Sequence, residues 1–260
     1  MGGEFRQTIK DLLHNIETVV FDKPAVVKAA LAAFLGQGHV LLEDVPGVAK
    51  TMLVRALAIS SGCTFTRIQC TPDLLPTDVT GVSIYNQRTQ EFEFRKGPIF
   101  SQVVVADEIN RATPRTQSAL LEAMAERQVS ADGRTLRLAG PFAVFATQNP
   151  VEHEGTFPLP EAQLDRFMMR LSVGYPSIVA EAQLLENTRV SHPIEHIQPV
   201  TNAGTIQQMQ ASIREIFVHA KLRDYILRLV ARTRDSTHLT LGASPRASMM
   251  LFRAAQAYAA

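Results

Sequence analysis

The 260-residue chain has two cysteines, a net charge of +1 and no long apolar run, and each shortage closes off a class of function. Cys63 and Cys70 cannot supply a disulfide framework and lack the spacing of a metal knuckle, so both are expected to be reduced and buried. No stretch approaches the roughly 18 apolar residues of a membrane-crossing helix. The opening MGGEFRQTIK has no hydrophobic signal region, and Arg6 stands where N-myristoylation after Gly2 wants Ser or Thr. With 26 basic residues against 25 acidic ones, no one-signed field advertises a nucleic-acid or membrane partner. What remains is a cytoplasmic globular chain of ordinary composition, long enough for one large domain or one domain with a small satellite.

What the chain does contain is strand–helix alternation. Residues 4–35 carry helix-period apolar positions broken near Asp22-Lys23-Pro24, which predicts two helices and a turn. Short apolar strands follow at His39–Glu43, Thr64–Ile68, Val103–Ala106, Phe142–Thr147 and Phe167–Val173, with helical spacing at Thr51–Ser60 and Pro114–Arg127. VSIYNQRTQEFEFR and RQVSADGRTLRL read as hairpins, the second with Asp132-Gly133 at its tip. This order predicts an α/β domain with a mostly parallel sheet. After Gly174-Tyr175-Pro176 the pattern turns helical, with amphipathic segments at Ile206–Ile213, Leu222–Arg234 and Pro245–Tyr258. A boundary is therefore expected near residues 176–200, dividing a core (1–176) from an all-α domain (177–260). The last helix has no C-cap signal, so that domain is expected to be incomplete.

The chemistry concentrates in LLEDVPGVAKTM, residues 41–52. The phosphate-loop template G-x-x-x-x-G-K-[ST] wants glycine where Asp44 and Ala49 stand. The position suits the physics, because a helix N-terminus after an apolar strand presents backbone N–H groups and a favourable dipole to phosphate. Lys50 would reach the outer phosphates and the Thr51 hydroxyl would hold Mg²⁺. Gly47 remains as a permissive backbone position. Ala49 is expected to have helical dihedrals, and Asp44 to sit where an αL-tolerant residue suffices. Taken alone, the octapeptide is equally well a surface loop with a solvated lysine.

A second element tips that balance. VVVADE, residues 103–108, is a buried-type strand ending in two carboxylates. Asp107 suits the metal's water shell, and Glu108 could polarise an attacking water. AVFATQNP then ends a strand at Asn149, a neutral amide able to orient water. LPEAQLDRF and GASPRAS contribute Arg166 and Arg246, either of which could neutralise charge at a γ-phosphate, although any single arginine is more often a surface residue.

Taken together, LLEDVPGVAKT, TPDLLPTDVTG, EFEFRKGPIF, VVVADEINRATPRTQSALLEAMAERQVSADGR, ATQNP and EGTFPLPEAQLDRF resemble the MoxR family of AAA+ ATPases over residues 36–176, and more loosely through GASPRA. The resemblance implies an AAA+ P-loop core, a parallel sheet flanked by helices with extra β-hairpins, followed by a small all-α lid. It also implies ATP and Mg²⁺, and a ring, usually a hexamer, with sites between subunits. Carried over, Val45, Pro46, Gly47, Val48, Ala49, Lys50, Thr51 and Met52 cradle the nucleotide, and Thr51 and Asp107 hold the metal. Glu108 completes the acidic pair, Asn149 is the first sensor, Arg166 the finger acting on a neighbouring subunit and Arg246 the second sensor. Val20 is assigned to the adenine side, where Phe21-Asp22-Lys23 departs from the Gly-Gln common in relatives. The hairpins resemble those of the clade holding minichromosome maintenance helicases and magnesium chelatases, where alanine before the lysine is familiar.

The resemblance further implies a chaperone-like remodeler of client protein complexes, often with von Willebrand factor A domain partners. A DNA-translocating motor and a nucleotide switch without turnover are the alternatives. The neutral charge and the lack of an added DNA-binding domain argue against the motor. HPIEH, residues 192–196, spells an inverzincin pattern, but Pro193 and Pro199 predict a loop rather than the helix such a site needs. Arg127, Arg134 and Arg137 read as a solvated face of the second hairpin.

Overall fold

The computed structural model describes residues 2–45, 47–131, 133–150, 155–187 and 191–260. Two helices open the chain, α1 (Gly3–Glu17) and α2 (Pro24–Leu35). Strand β1 (Val40–Glu43) leads through the 44–49 loop into α3 (Lys50–Ser60), then β2 (Phe65–Gln69) and the short α4 (Pro76–Thr80). The hairpin β3 (Gly81–Asn86) and β4 (Glu91–Lys96) precedes β5 (Val103–Asp107) and α5 (Pro114–Glu126). The hairpin β6 (Gln128–Ala131) and β7 (Arg134–Arg137), β8 (Ala143–Gln148), α6 (Glu161–Leu164) and β9 (Met169–Leu171) complete the α/β part. Helices α7 (Ile178–Asn187), α8 (Ala203–Arg214), α9 (Ala220–Arg234) and α10 (Pro245–Ala259) follow.

Strands β2, β5, β8, β1 and β9 lie in that order in one sheet, all parallel. The period-2 alternation of its central strands feeds two cores. Val103, Val105, Phe145, Val40 and Leu42 face α1, α2 and α3. Val104, Ala106, Val144, Ala146 and Leu41 face α5 on the other side. A parallel sheet covered on both faces leaves its central strands no solvated side, which is why β5 is apolar up to its carboxyl end and buried throughout. Helix α2 is apolar around nearly its whole circumference and is correspondingly enclosed.

The later helices are joined to this core. Ile206, Met209 and Ile213 of α8 and Ala257 of α10 belong to the same cluster as α1–α3, and buried Gln210 donates to the Phe34 carbonyl at the end of α2 (2.8 Å). The hydrophobic core is thus continuous across the boundary expected at 176–200.

Among the described residues no helix is long and apolar enough to cross a membrane, and no group of three or more His, Cys, Asp or Glu could hold a metal. Residues 193–195 form a single 3₁₀ turn in which the His192 ring accepts from the Ile194 N–H, so HPIEH presents no helical face. Cys63 and Cys70 are free thiols. Burial pushes both up, Cys70 to about 12, so neither is a thiolate at neutral pH.

Candidate functional site

The parallel sheet brings every strand's carboxyl end to one edge, where ligands of open α/β sheets bind. Register sets the details: Glu43 lies opposite Gln148, and Gln69 opposite Asp107. The 44–51 loop, Asp107, Glu108 and Asn149 therefore meet at a cleft of about 370 Å³ lined by Gly47–Met52, Arg67, Asp107, Glu108, Thr147 and Asn149.

The loop corrects the two backbone expectations. Ala49 is left-handed, with φ 59° and ψ 22°, not helical; it is the N-cap of α3. Gly47 has φ 85°, as its missing Cβ permits. Asp44 needs no tolerance of αL at all. Its N–H donates to the Gln148 carbonyl (3.2 Å), extending the β1–β8 pairing by one residue. Its carboxylate collects three donors: Val45 N–H (2.9 Å), Ser172 hydroxyl (2.9 Å) and Gly174 N–H (2.5 Å). Partial burial acts to raise the Asp44 carboxyl, but those bonds and the Lys50 charge together hold it below its ordinary value. So the residue that breaks the glycine template ties the loop to the segment leaving β9.

Lys50 folds back over the loop, donating to the Asp44 carbonyl (2.6 Å) and the Val45 carbonyl (3.1 Å). Burial pushes its ammonium below the usual lysine range, against the attraction of Asp44, Asp107 and Glu108. An ammonium so desolvated binds an incoming anion at little further cost of dehydration. Thr51 Oγ1 sits 3.5 Å from Asp107 Oδ2. These are hard oxygen donors, the set that suits Mg²⁺.

Three residues that motif reading missed complete the acidic end. Arg67 on β2 places Nη2 at 2.6 Å and Nε at 2.9 Å from Asp107 Oδ2. Thr147 donates to Asp107 Oδ1 (2.5 Å) and accepts from the Glu108 N–H (2.9 Å). Gln69 donates to Glu108 Oε2 (3.0 Å), an oxygen that also takes Arg111 (3.1 Å). Glu108 itself is left-handed, φ 55°, a conformation that costs about 1 kcal/mol or more and persists where surrounding bonds enforce it. The alternation of β2 places Arg67 and Gln69 on one face, but only the β2–β5 register, which sets Gln69 opposite Asp107, brings that face to the acidic pair.

The expected residues do not all meet. Pro46 lies outside the described residues, and the side chain of Val20 is buried in the α1–α3 core rather than lining the cleft. Arg166 and Arg246 line a different cavity of similar size, which shares no residue with the first. Arg246 pairs with Asp165 (3.6 Å), whose other oxygen accepts from Ser244 (2.5 Å). Arg127 is also corrected: it is not a solvated hairpin residue but caps α5 and donates to Gln37 Oε1 (3.1 Å) and the Gln37 carbonyl (3.0 Å) beside those arginines.

Comparison with known proteins decides what this cleft belongs to. A family profile described as "ATPase family associated with various cellular activities (AAA)" matches residues 39–169. The chain is 43% identical over 261 residues to Chaperone MoxR1 of Mycobacterium tuberculosis, covering 97% of this chain and 69% of that one. The chain belongs to the MoxR family of AAA+ ATPases. The uncharacterised protein YeaC of Bacillus subtilis is 55% identical over 247 residues, covering 95% of this chain and 77% of YeaC. A crystal structure from Cytophaga hutchinsonii, described as that of "a putative ATPase", superposes with a TM-score of 0.89 at 39% identity, covering 98% of this chain and 80% of that one. A full-length MCM homologue from Methanopyrus kandleri shares the fold at a TM-score of 0.66 and 19% identity, over 98% of this chain and 55% of that one. The α/β AAA+ core with a helical C-terminal part, and ATPase activity, follow from these relationships.

Proposed function

We propose that this MoxR-family ATPase hydrolyses ATP at the 44–51 cleft, in a ring with sites between subunits, to remodel or mature a client protein complex in the cytoplasm. The observation that carries the reading is the convergence of Lys50, Thr51, Asp107, Glu108 and Asn149 on one cleft while Arg166 and Arg246 line another. Residues 1–176 would act as the nucleotide-binding core and 177–260 as the lid. A hexamer is the assembly usual in the family, and the chaperone role of a relative, together with von Willebrand factor A domain partners, supplies the class of client.

Each residue's part follows from its chemistry. Lys50 would exchange the Asp44 and Val45 carbonyls for phosphate oxygens, while the Gly47–Lys50 backbone N–H groups and the start of α3 cradle the chain. Thr51 and Asp107 would hold Mg²⁺, which supplies charge neutralisation on the phosphate oxygens when bound. Glu108, steadied by Gln69 and Arg111, would take the proton of an attacking water that the Asn149 amide orients. Arg166 and Arg246 would reach the γ-phosphate of an adjacent copy, since they line a cavity separate from their own loop. Phosphate release by wild type and Glu108→Gln tests this directly. The variant should bind ATP and turn over at least a hundredfold more slowly; a wild-type chain that assembles and binds ATP without turnover would overturn the enzymatic part.

A further inference from the structure

The Asp44 carboxylate faces two ways. Its Oδ1 accepts the Val45 N–H of its own loop (2.9 Å), while its Oδ2 accepts the Ser172 hydroxyl (2.9 Å) and the Gly174 N–H (2.5 Å). Ser172 and Gly174 belong to the strap, residues 172–177, that joins β9 to α7. The turn before α2 holds the same strap further along. Lys23 Nζ donates to the Tyr175 carbonyl (2.7 Å), and the Ser177 N–H donates to Asp22 Oδ2 (3.4 Å). One carboxylate thus joins the 44–51 loop to the chain that leads into the helical part.

Lys50 works on the loop end of that link. Its ammonium donates to the Asp44 carbonyl (2.6 Å) and the Val45 carbonyl (3.1 Å). The Asp44 carbonyl and the Val45 N–H are the two ends of one peptide unit, which turns as a rigid plane. Lys50 therefore grips that plane at its oxygen, and Asp44 Oδ1 grips it at its hydrogen. The Asp44 N–H is fixed separately, on the Gln148 carbonyl (3.2 Å). With Oδ2 anchored on the strap, the carboxylate keeps the plane turned toward Lys50. An anion that draws Lys50 away frees the oxygen end, and the plane can then turn only at the expense of the bond to Oδ1.

We propose that Asp44 is a positioning residue that sets two states of the loop against each other. Engaged with Ser172 and Gly174, it holds Lys50 on the loop carbonyls; capture of phosphate by Lys50 loosens the strap. This coupling rests on the ATP reading of the 44–51 loop. Linkage fixes its sign, because a contact that phosphate weakens must itself weaken phosphate binding by the same factor. Glycine at position 44, as the template has it, would leave loop and strap unconnected.

Ser172→Ala removes one strap bond at an exposed position that lines no part of the cleft. It should tighten binding of a fluorescent ADP about threefold, the scale of one hydrogen bond. Asp44→Asn keeps the side chain's size but leaves one acceptor oxygen where two are used. It should tighten binding about tenfold, since charge-assisted bonds are the stronger ones, and adding Ser172→Ala to it should change nothing further. Hydrogen exchange reads the reciprocal effect. Saturating ADP should speed exchange of the Gly174 amide in wild type and leave it unchanged in Asp44→Asn. A merely structural role would lower the urea midpoint and give neither result. Affinity that is unchanged or weaker in Ser172→Ala, or a wild-type Gly174 amide that ADP protects or leaves alone, overturns the proposal. Lys50→Ala keeps the two failures apart. If it binds ADP as wild type does, the ATP reading of the loop fails and the coupling falls with it. Binding lost in Lys50→Ala beside an inert Ser172→Ala sinks the coupling alone.

Discussion

At Asp44 the chain departs from the glycine template because a side chain is needed there. Its carboxylate holds the Val45 N–H, the Ser172 hydroxyl and the Gly174 N–H, and its backbone prolongs a strand pair. Asp44→Gly, which restores the template, should therefore destabilise the protein. The loss expected is about 1–2 kcal/mol after allowance for solvent at this half-exposed site, read as a lower urea midpoint at unchanged slope. His39 gives the pH counterpart. Its buried ring accepts the Val144 N–H at Nδ1 and bonds the Met124 carbonyl through Nε2, which requires the neutral form. The folded value of about 4 lies below the ordinary 6.5, so the unfolded chain binds the extra proton between them. Stability is fully present above pH 6.5 and is lost as pH falls toward 4. Between pH 8 and pH 5 this amounts to about 2 kcal/mol. Urea unfolding across that range should show the slope, and His39→Gln should flatten it.

At the scale of elements, the P-loop strand, the buried VVVAD strand and the helical periods of α8 to α10 were legible because each is a local pattern. Ala49 was misjudged because the turn into α3 takes its left-handed residue there, which one permissive glycine two positions earlier does not reveal. Arg67 was invisible for a different reason. It reaches Asp107 only because β2 and β5 pair in a register that sets Gln69 opposite Asp107, and that register belongs to the sheet, not to either segment. The same geometry makes a prediction. Arg67 and a divalent cation would draw on the same carboxylate oxygen, Asp107 Oδ2, and the Arg67 side chain is 52% exposed, so its hold is modest. Arg67→Gln should lower the Mg²⁺ concentration needed for half-maximal nucleotide binding by about two- to fivefold, as a pair worth under 1 kcal/mol implies. Fluorescent-nucleotide titration at varied Mg²⁺ checks this, and a raised requirement would show that Arg67 positions Asp107 instead.

Across the whole molecule, the proposed function would divide one reaction between the two cavities. The loop cleft holds a lysine, a hydroxyl and two carboxylates suited to nucleotide and water; the other is lined by five arginines and no carboxylate. One hydrophobic core runs from α1–α3 into α8 and α10, so in the proposed ring both faces would be carried by a single packed unit. On that reading a lone chain would lack the arginine its own site needs. Turnover per chain should then rise with protein concentration, steeply through the range where sedimentation shows assembly, and level off once assembly is complete. Arg166→Ala should remove that rise and cut turnover by about a thousandfold, the scale of a trans-acting arginine. ATP affinity at its own loop should change little, because Arg166 lines no part of that cleft. Phosphate release across a dilution series, paired with sedimentation of the same samples, separates the cases. Turnover per chain that stays constant down to fully dissociated protein would place the finger in its own subunit and dismiss the divided site.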